Sequence, residues 1–245
     1  MNRTDDHRND LAGLRIAITG GTSGLGLALV REWSARGAGV AFVARTPGSV
    51  ERIAREIPGA AGIVGDVSTK AGIHPIALQI LGRLGGLDVL VNNASSLGPV
   101  PLALLADTEC EDFETALATN LLGPFRLTRT LLGALRASAA EGRGAVVLNI
   151  SSDAALTPYS HWGAYGASKA ALRHMSAIWR NELQDEGIGV LALDPGDMDT
   201  PLHALAIPDA DPSTLKAPQS SARELTCAIV AELRELAQRK RSREE

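Results

Sequence analysis

Six short, nearly continuous apolar runs constrain the fold of this chain more than any other feature. They lie at residues 14–19, 40–44, 61–64, 87–91, 145–150 and 188–193. Because these runs do not alternate with polar residues, they are typical of strands that a parallel sheet buries on both faces. Longer segments with helical spacing separate them, most clearly at residues 25–34, 113–135, 165–183 and 222–236. This alternation of strand and helix predicts an α/β fold built on a parallel sheet.

The composition fits one globular domain. The chain has 245 residues, of which 45% are hydrophobic and 21% charged, and this supplies enough apolar surface for a core. We predict a single domain over residues 1–245, with flexible ends at 1–12 and 239–245, where polar and charged residues dominate. The net charge of −4 argues against nucleic acid or an anionic membrane surface as a partner.

Cysteine and histidine usage bears on disulfides, on metal binding and on the cellular compartment. Cys110 and Cys227 are too few for a disulfide framework or a paired-cysteine metal site, and the five histidines lack metal-ligand spacing, so we expect no metal. Residues 1–10 contain no apolar segment of a signal peptide, and no later stretch has about 18 uninterrupted apolar residues. We therefore expect a cytoplasmic protein.

A glycine-rich turn follows the first apolar run at once and opens a helical segment. Residues 19–26 read Thr-Gly-Gly-Thr-Ser-Gly-Leu-Gly. Glycines permit a positive φ and a close approach of the backbone, and a helix N-terminus offers free N–H groups to a pyrophosphate. A tight turn without a ligand is the alternative, but the strand before it and the helix after it favour a dinucleotide site.

From this turn onward the chain resembles the short-chain dehydrogenase/reductase family. The spacing Gly20-x3-Gly24-x-Gly26 is similar to that family's TGxxxGxG pattern. Three further segments are similar to parts of the family that contact the cofactor: Asp66-Val67, Asn92-Asn93-Ala94-Ser95, where the family usually has NNAG, and Pro195-Gly196. The resemblance implies a Rossmann-like, doubly wound parallel sheet with strand order 3-2-1-4-5-6.

The resemblance also implies a set of cofactor-binding residues. They are Gly20, Thr22, Ser23, Gly24, Leu25, Gly26, Arg45, Asp66, Val67, Asn93, Ala94, Tyr165, Lys169, Pro195, Gly196, Met198 and Thr200. Dinucleotide folds that prefer NAD usually place an acid at the end of the second strand. Ala44 stands there instead, and the guanidinium of the next residue, Arg45, suits a 2′-phosphate. We therefore predict that NADP(H) is preferred over NAD(H).

Tyr165 and Lys169 stand at positions i and i+4 of a predicted helix, one turn apart on one face. A nearby ammonium stabilises a phenolate, so we expect Lys169 to lower the pKa of Tyr165 and make it a usable acid and base. By resemblance, Lys169 also binds the nicotinamide ribose hydroxyls.

Two more residues complete the group that the resemblance implies to be catalytic. Ser152, thirteen residues before Tyr165, hydrogen-bonds the substrate oxygen in that family, although a serine at a strand end is commonly a cap. Asn120 interrupts an apolar helical run. It is either a satisfied core amide or, by resemblance, the residue that bends its helix and holds a water against the lysine.

These residues predict hydride transfer between nicotinamide and a carbonyl or secondary alcohol, a small molecule, with Tyr165 exchanging the proton. Three alternatives remain: a redox-sensing regulatory protein with little turnover, an NAD-dependent alcohol dehydrogenase, and an epimerase or dehydratase of the related extended type. The last is disfavoured by the short chain and by the glycine spacing.

The loops 95–101, 153–162 and 197–208 are expected to line the substrate pocket, with His161, Trp162, Met198, Leu202 and His203 as candidates.

The end of the chain bears on assembly. Residues 237–245 contain no apolar run, so we expect the sheet to stop at six strands, without the seventh strand common in the family. In the family, one subunit interface uses two long helices. By resemblance these are residues 111–138 and 162–185 here, where small residues permit close packing. These are Gly163, Ala164, Ala167, Ala170 and Ala171. We predict a homodimer through these helices.

Overall fold

The computed structural model describes residues 10–244, and over these a six-stranded parallel sheet forms the centre of the molecule. The strands are β1 (Arg15–Thr19), β2 (Gly39–Ala44), β3 (Ala60–Val64), β4 (Val89–Asn92), β5 (Ala145–Ile150) and β6 (Ile188–Leu193). Their order is β3-β2-β1-β4-β5-β6, and all neighbours pair in parallel. The predicted Rossmann-like fold and strand order are confirmed.

Helices cover both faces of this sheet. They are α1 (Gly24–Ala35), α2 (Pro47–Glu56), α3 (Lys70–Leu84), α4 (Cys110–Leu117), α5 (Gly123–Ala140), α6 (Gly163–Leu183), α7 (Pro201–Ala206) and α8 (Pro218–Glu244). One core cluster packs α1, α2 and α8 on the sheet, and its buried Trp33 donates to the Thr226 hydroxyl at 2.9 Å. The other cluster packs α3, α5 and the end of α6 on the opposite face. None of the helices in residues 10–244 is long and apolar enough to span a bilayer.

Side chains occupy the outer edge of β6. No seventh strand pairs there within the described residues. Arg180 of α6 donates to the Val190 carbonyl at 3.3 Å and pairs with Glu232 of α8, also at 3.3 Å. Glu232 can lie against the strand because Gly189 has no side chain, since a Cβ there would come 2.6 Å from the Glu232 Cγ. The Arg180–Glu232 pair therefore covers the outer edge of β6, where the Val190 carbonyl would otherwise lack this hydrogen bond.

The ends of the chain differ in part from the prediction. Residues 1–9 and 245 lie outside the described residues. Leu11 is only 2% exposed and belongs to the core, so the prediction of a flexible segment reaching residue 12 is wrong at this position. Residues 239–244 continue α8, where Arg239 pairs with Glu235 one turn earlier and Lys240 donates to the Ala140 carbonyl at 2.9 Å. Flexibility of residues 239–245 stays a prediction.

Candidate active site

The glycine turn brings the end of β1 and the start of α1 together at the carboxyl edge of the sheet. Gly20 has a φ of 73° and Gly24 of 49°, in the left-handed region that favours glycine. A Cβ on Gly26 would lie 2.1 Å from the Gly20 carbonyl oxygen, so only glycine lets the helix close on the strand. Asn93, after β4, fixes the turn by donating to the carbonyls of Thr19 at 2.9 Å and Gly20 at 3.2 Å.

A cavity of about 580 Å³ lies beside this turn, along the carboxyl ends of the strands. Every residue that the sequence predicts to contact the cofactor lines it, as do Ser152 and four of the five substrate-pocket candidates. The exception among those candidates is His161, which borders a separate groove. Asn120 is not in the cavity wall either. The open edge of the sheet therefore gathers motifs that lie up to 180 residues apart in the sequence.

At one end of the cavity, charged groups follow β2 and β3. Arg45 follows β2 directly, and its exposed side chain stands at the rim beside Ala44. Asp66 follows β3, and its Oδ1 accepts hydrogen bonds from the backbone N of Ser68 at 2.9 Å and from the Ser68 hydroxyl at 2.7 Å. One carboxylate oxygen of Asp66 is thus held by its own loop.

Tyr165 and Lys169 lie on the buried face of α6 and reach the cavity together. They are 8% and 2% exposed, and the Lys169 ammonium lies 5.4 Å from the centre of the Tyr165 ring. Burial raises the pKa of Tyr165 to about 12, against the opposing effect of the Ser152 and Ser95 hydroxyls. Burial thus sets the direction of the shift in this structure, and the lowering expected from Lys169 does not prevail. The Lys169 ammonium donates at 2.7 Å to the Ile150 carbonyl, and burial lowers its own pKa to about 8.

Ser152 stands at the end of β5 and takes part in local hydrogen bonds. Its hydroxyl accepts from the backbone N of Ala154 at 3.2 Å and donates to the Asp153 Oδ1 at 2.9 Å. The Tyr159 hydroxyl donates to the other Asp153 oxygen at 2.8 Å. Burial opposes ionisation of Asp153, but the hydrogen bonds from Tyr159 and Ser152 outweigh it and lower the pKa of this carboxyl. Ser152 is therefore both a turn cap and a hydroxyl facing the cavity.

Asn120 lies in a π-helical turn, Ala118–Leu122, that joins α4 to α5. Its Oδ1 accepts from the Ser96 backbone N at 2.8 Å and from the Ser95 hydroxyl at 3.2 Å. Its Nδ2 donates to the Ser96 carbonyl at 2.7 Å and to the Ser168 hydroxyl at 2.9 Å. The amide is satisfied behind the cavity wall, where it ties the loop after β4 to α6. The wide turn agrees with the expected bend in the helix.

This cavity, its glycine turn and its tyrosine–lysine pair all lie within the part of the chain that matches a family model. The model is described as short chain dehydrogenase, and it matches residues 15–210. The chain belongs to the short-chain dehydrogenase family. The resemblance that the motifs indicated is confirmed.

Relatives and solved structures agree with this membership. L-fucose dehydrogenase of Mus musculus is 32% identical over 202 residues, which are 82% of this chain and 71% of the relative. The crystal structure of 3-ketoacyl-(acyl-carrier-protein) reductase from Brucella melitensis, complexed with NADH, has a TM-score of 0.81 at 29% identity and covers 89% of this chain and 90% of that chain. A short chain dehydrogenase from Shigella flexneri, complexed with NADP, has a TM-score of 0.79 at 26% identity and covers 86% and 89%. This short-chain dehydrogenase is therefore an oxidoreductase that acts on CH–OH or C=O groups with a nicotinamide cofactor.

Three polar residues of the cavity were not singled out from the sequence, although two of them, Asp153 and Tyr159, lie in the loop 153–162 that was expected to line the pocket. Asp194 lies directly before the Pro195-Gly196 motif and lines the cavity. Its charge adds to the rise that burial causes in the Tyr165 pKa and partly offsets the fall that burial causes in the Lys169 pKa. Asp153 and Tyr159 pair beside Ser152. Their position in loops after β5 and β6 was the available signal, because ligands in open α/β sheets bind at those loops.

Proposed function

We propose that this short-chain dehydrogenase is NADP(H)-dependent and transfers a hydride between the nicotinamide and a carbonyl or secondary alcohol, with Tyr165 as acid and base. The observation that carries the proposal is the convergence of the glycine turn, Arg45 and the Ser152, Tyr165 and Lys169 side chains on one cavity. A phosphate-binding turn, a cation for the 2′-phosphate and a proton donor are the parts that such a reaction needs.

The first turn of α1 fits the pyrophosphate of a dinucleotide. Its N-cap residue, Ser23, makes no side-chain cap hydrogen bond, and its first turn contains no acidic residue. Free N–H groups and the positive end of the helix dipole are therefore available to an anion. A side chain on Gly26 would displace this first turn, because its Cβ would lie 2.1 Å from the Gly20 carbonyl oxygen.

Preference for NADP(H) is supported by the end of β2. No carboxylate stands at Ala44 to accept a bond from a ribose 2′-hydroxyl, and the Arg45 guanidinium stands next to it at the cavity rim. An NAD-dependent alcohol dehydrogenase is the second candidate, because the similar Brucella melitensis structure is complexed with NADH.

The bound nicotinamide would supply the hydride donor or acceptor. For reduction, Tyr165 gives its proton to the developing alkoxide, and its pKa of about 12 keeps it protonated at neutral pH. Ser152 must turn its hydroxyl from Asp153 towards the substrate oxygen, where it stabilises the same charge. Oxidation needs the phenolate of Tyr165, so its rate should rise with pH.

The substrate side of the cavity carries negative charge. Asp153, Asp194 and Asp197 line it, and the charge of Asp194 partly offsets the fall that burial causes in the Lys169 pKa. These carboxylates repel anionic substrates and can accept hydrogen bonds from substrate hydroxyls. We therefore propose neutral, hydroxyl-bearing carbonyl compounds or alcohols as the substrate class. Sugars belong in the panel because a similar protein is named L-fucose dehydrogenase.

Thermal unfolding with NADPH, with NADH and without cofactor tests the binding part, because a ligand that binds the native state raises its melting temperature. We expect the larger rise with NADPH, followed by turnover of members of a carbonyl and alcohol panel. No rise with either cofactor would contradict the dinucleotide site. Equal or better kcat/KM with NADH would contradict the preference, and binding without turnover would favour the redox-sensing alternative.

We also propose a homodimer through α5 and α6. Phe125 and Trp179 stack with their ring centroids 5.7 Å apart, and Leu122 and Phe125 stay more than one third exposed, an apolar patch that a second copy can cover. Ala164 takes no part, since it is 2% exposed and packs beside Gly98, so this element of the small-residue prediction is wrong.

Light scattering tests this assembly. We expect twice the mass of the chain for the wild type and the mass of one chain for Phe125→Asp. Leu78→Asp changes an apolar residue that is 74% exposed on α3, and it should leave the dimer intact. A tetramer, or a wild-type monomer, would contradict the proposal.

We propose a cytoplasmic location. Both cysteines are exposed, and neither forms a disulfide in the part of the chain that the structure describes. Exposed thiols of this kind persist in a reducing compartment.

A further inference from the structure

The carboxylate of Asp153 stands in the cavity wall in direct contact with the Ser152 hydroxyl. Both residues line the cavity at the carboxyl end of β5, and Asp153 is exposed there. Its Oδ1 accepts from the Ser152 hydroxyl at 2.9 Å and from the Ala154 backbone N at 2.7 Å. Its Oδ2 accepts from the Tyr159 hydroxyl at 2.8 Å. Three donors therefore fix the direction of this carboxylate.

The backbone of the turn after β5 holds Asp153 independently of these side chains. The backbone N atoms of Leu156 and Thr157 donate to the Asp153 carbonyl at 2.8 and 2.9 Å. The Ala154 N also reaches the Ser152 Oγ at 3.2 Å. The carboxylate would therefore keep its place if the Ser152 hydroxyl turned away from it.

The proposed reaction removes one of the three donors. A serine hydroxyl has one proton, so Ser152 cannot donate to the substrate oxygen and to Asp153 at the same time. When Ser152 serves the substrate, the Asp153 Oδ1 keeps the Ala154 N–H and has one acceptor site to spare. A charged oxygen that loses a hydrogen bond favours any ligand that brings a new donor to it.

The position of this spare acceptor site selects the ligand. The Oδ1 lies 2.9 Å from the Ser152 Oγ, and the reacting oxygen of a substrate lies at a similar hydrogen-bond distance from the same Oγ. The oxygens on two adjacent carbons of a hydroxy ketone or a diol also stand about one hydrogen-bond length apart. A hydroxyl on the carbon next to the reacting carbon can therefore donate to Asp153 while the reacting oxygen accepts from Ser152. A carbonyl or ether oxygen at that place cannot, because a carboxylate only accepts.

We propose that Asp153 is a specificity residue that accepts a hydroxyl on the carbon next to the reacting carbon, so that the substrates are α-hydroxy carbonyl compounds and vicinal diols. The inference rests on the proposed function and narrows its substrate class. Asp153 keeps its charge throughout, and Tyr165 still exchanges the proton of the reacting oxygen. Tyr159 orients the carboxylate through its bond to the Oδ2.

Reduction of hydroxyacetone and fluoroacetone with NADPH tests this specificity. Both substituents withdraw electrons from the carbonyl, but only the hydroxyl donates a hydrogen bond. We expect Asp153→Ala to lower the ratio of kcat/KM for hydroxyacetone to that for fluoroacetone by about 10–100-fold, which corresponds to the loss of a hydrogen bond to a charged group. Asp153→Asn keeps an acceptor oxygen without the charge, so its ratio should lie between those of the wild type and Asp153→Ala.

Asp211→Ala is the matched control, because Asp211 also caps a short helical turn. Its Oδ1 accepts from the Ser213 backbone N at 2.9 Å, and Asp211 is not part of the cavity wall. We expect the wild-type ratio in this variant, and an equal fall in both variants would overturn the inference. If Asp153→Ala lowered kcat/KM equally for both ketones, Asp153 would only support Ser152 or its turn, and this result would also overturn it.

Binding of alcohols gives a second readout that needs no turnover. An alcohol cannot react with the NADPH-loaded protein, because both are already reduced. Titrations followed by NMR should show tighter binding of vicinal cyclohexanediol than of cyclohexanol to the wild type, and Asp153→Ala should remove this difference. Equal affinities in the wild type would overturn the inference. A wild type that reduced neither ketone would contradict the proposed function, and the titration would still decide whether Asp153 accepts the second hydroxyl.

Discussion

The Lys169 ammonium lies 5.4 Å from the centre of the Tyr165 ring, yet its hydrogen bond goes to the Ile150 carbonyl at 2.7 Å. The lysine is thus held by the end of β5 rather than by the phenol. It stands 2% exposed at the cavity floor, where a positive charge is costly unless a ligand or a partner compensates for it.

Lys169→Met should stabilise the protein at neutral pH. Burial lowers the lysine pKa from 10.5 to about 8, so between these values the unfolded state binds more protons and wild-type stability rises with pH. We expect Lys169→Met to raise the free energy of unfolding near pH 7 by roughly 1–3 kcal/mol. The gain should shrink as the pH rises from about 8 to 10.5.

Urea unfolding at neutral and at alkaline pH measures this difference. Lys216→Met, which changes an exposed lysine, serves as the control and should have little effect at either pH. A gain that stayed constant across the pH range would show that the buried charge is not its cause.

Gly26→Ala should disrupt the glycine turn and its binding of the cofactor. The new Cβ would meet the Gly20 carbonyl oxygen at 2.1 Å, and backbone cannot yield that far without moving α1 from β1. We expect loss of the thermal shift with NADPH and a lower melting temperature. Gly82→Ala, in α3, meets nothing within 4 Å and should stabilise by up to about 1 kcal/mol. Normal cofactor binding by Gly26→Ala would contradict the geometry of the turn.

Much of the fold could be predicted because the strands are buried on both faces. Each apolar run overlaps one observed strand, and β5 and β6 agree at both ends. The end of α8 could not be predicted from apolar spacing, since charged pairs such as Arg239 and Glu235 extend the helix beyond Leu236, the last residue that is buried within 218–242.

The candidate site could be predicted where motifs follow strands, because the carboxyl ends of parallel strands meet at one edge. Contacts between distant residues could not be predicted. Asn120 is held behind the cavity wall by hydrogen bonds to Ser96 and Ser168. These partners are 24 and 48 positions away in the sequence, so the contacts do not follow from local spacing. The direction of the Tyr165 pKa shift could not be predicted from the sequence either, since it depends on the burial of the phenol.

Asp88 holds the amino ends of the strands together, and Asp88→Asn should destabilise the protein by about 3 kcal/mol. The carboxylate is 0% exposed and accepts bonds from Arg15 at 2.7 Å, Arg143 at 3.0 Å and Ser138 at 2.6 Å. Burial alone would raise the pKa of this carboxyl, but the two guanidinium groups and the Ser138 hydroxyl hold it well below its usual range.

The sign of the pH effect follows from this lowered pKa. The stabilisation is present above the unfolded value of 3.8 and is lost as the pH falls below it. Urea unfolding of Asp88→Asn should therefore lack this acid-dependent loss. Glu186→Gln, which breaks an exposed pair with Arg136, should cost less than about 1 kcal/mol. If Asp88→Asn and Glu186→Gln lowered the free energy of unfolding equally, the greater contribution assigned to the buried Asp88 would be wrong.

Arg45→Ala should weaken the use of NADPH selectively. Loss of a charge-assisted contact to a 2′-phosphate corresponds to a rise in KM for NADPH of about 10–100-fold, while KM for NADH stays within about twofold. Steady-state kinetics with both cofactors measure the ratio. Arg52→Ala, on the exposed face of α2 where it pairs with Glu56 at 2.8 Å, is the control. An equal effect on both cofactors would assign Arg45 another role.

The most direct measurement of the central claim is the turnover of Tyr165→Phe beside its NADPH affinity. The variant keeps the buried ring and removes only the proton that the substrate oxygen receives. We predict that kcat for carbonyl reduction falls by at least about 100-fold while the thermal shift with NADPH is retained. Near-normal turnover of Tyr165→Phe would contradict the assignment of Tyr165 as the acid and base.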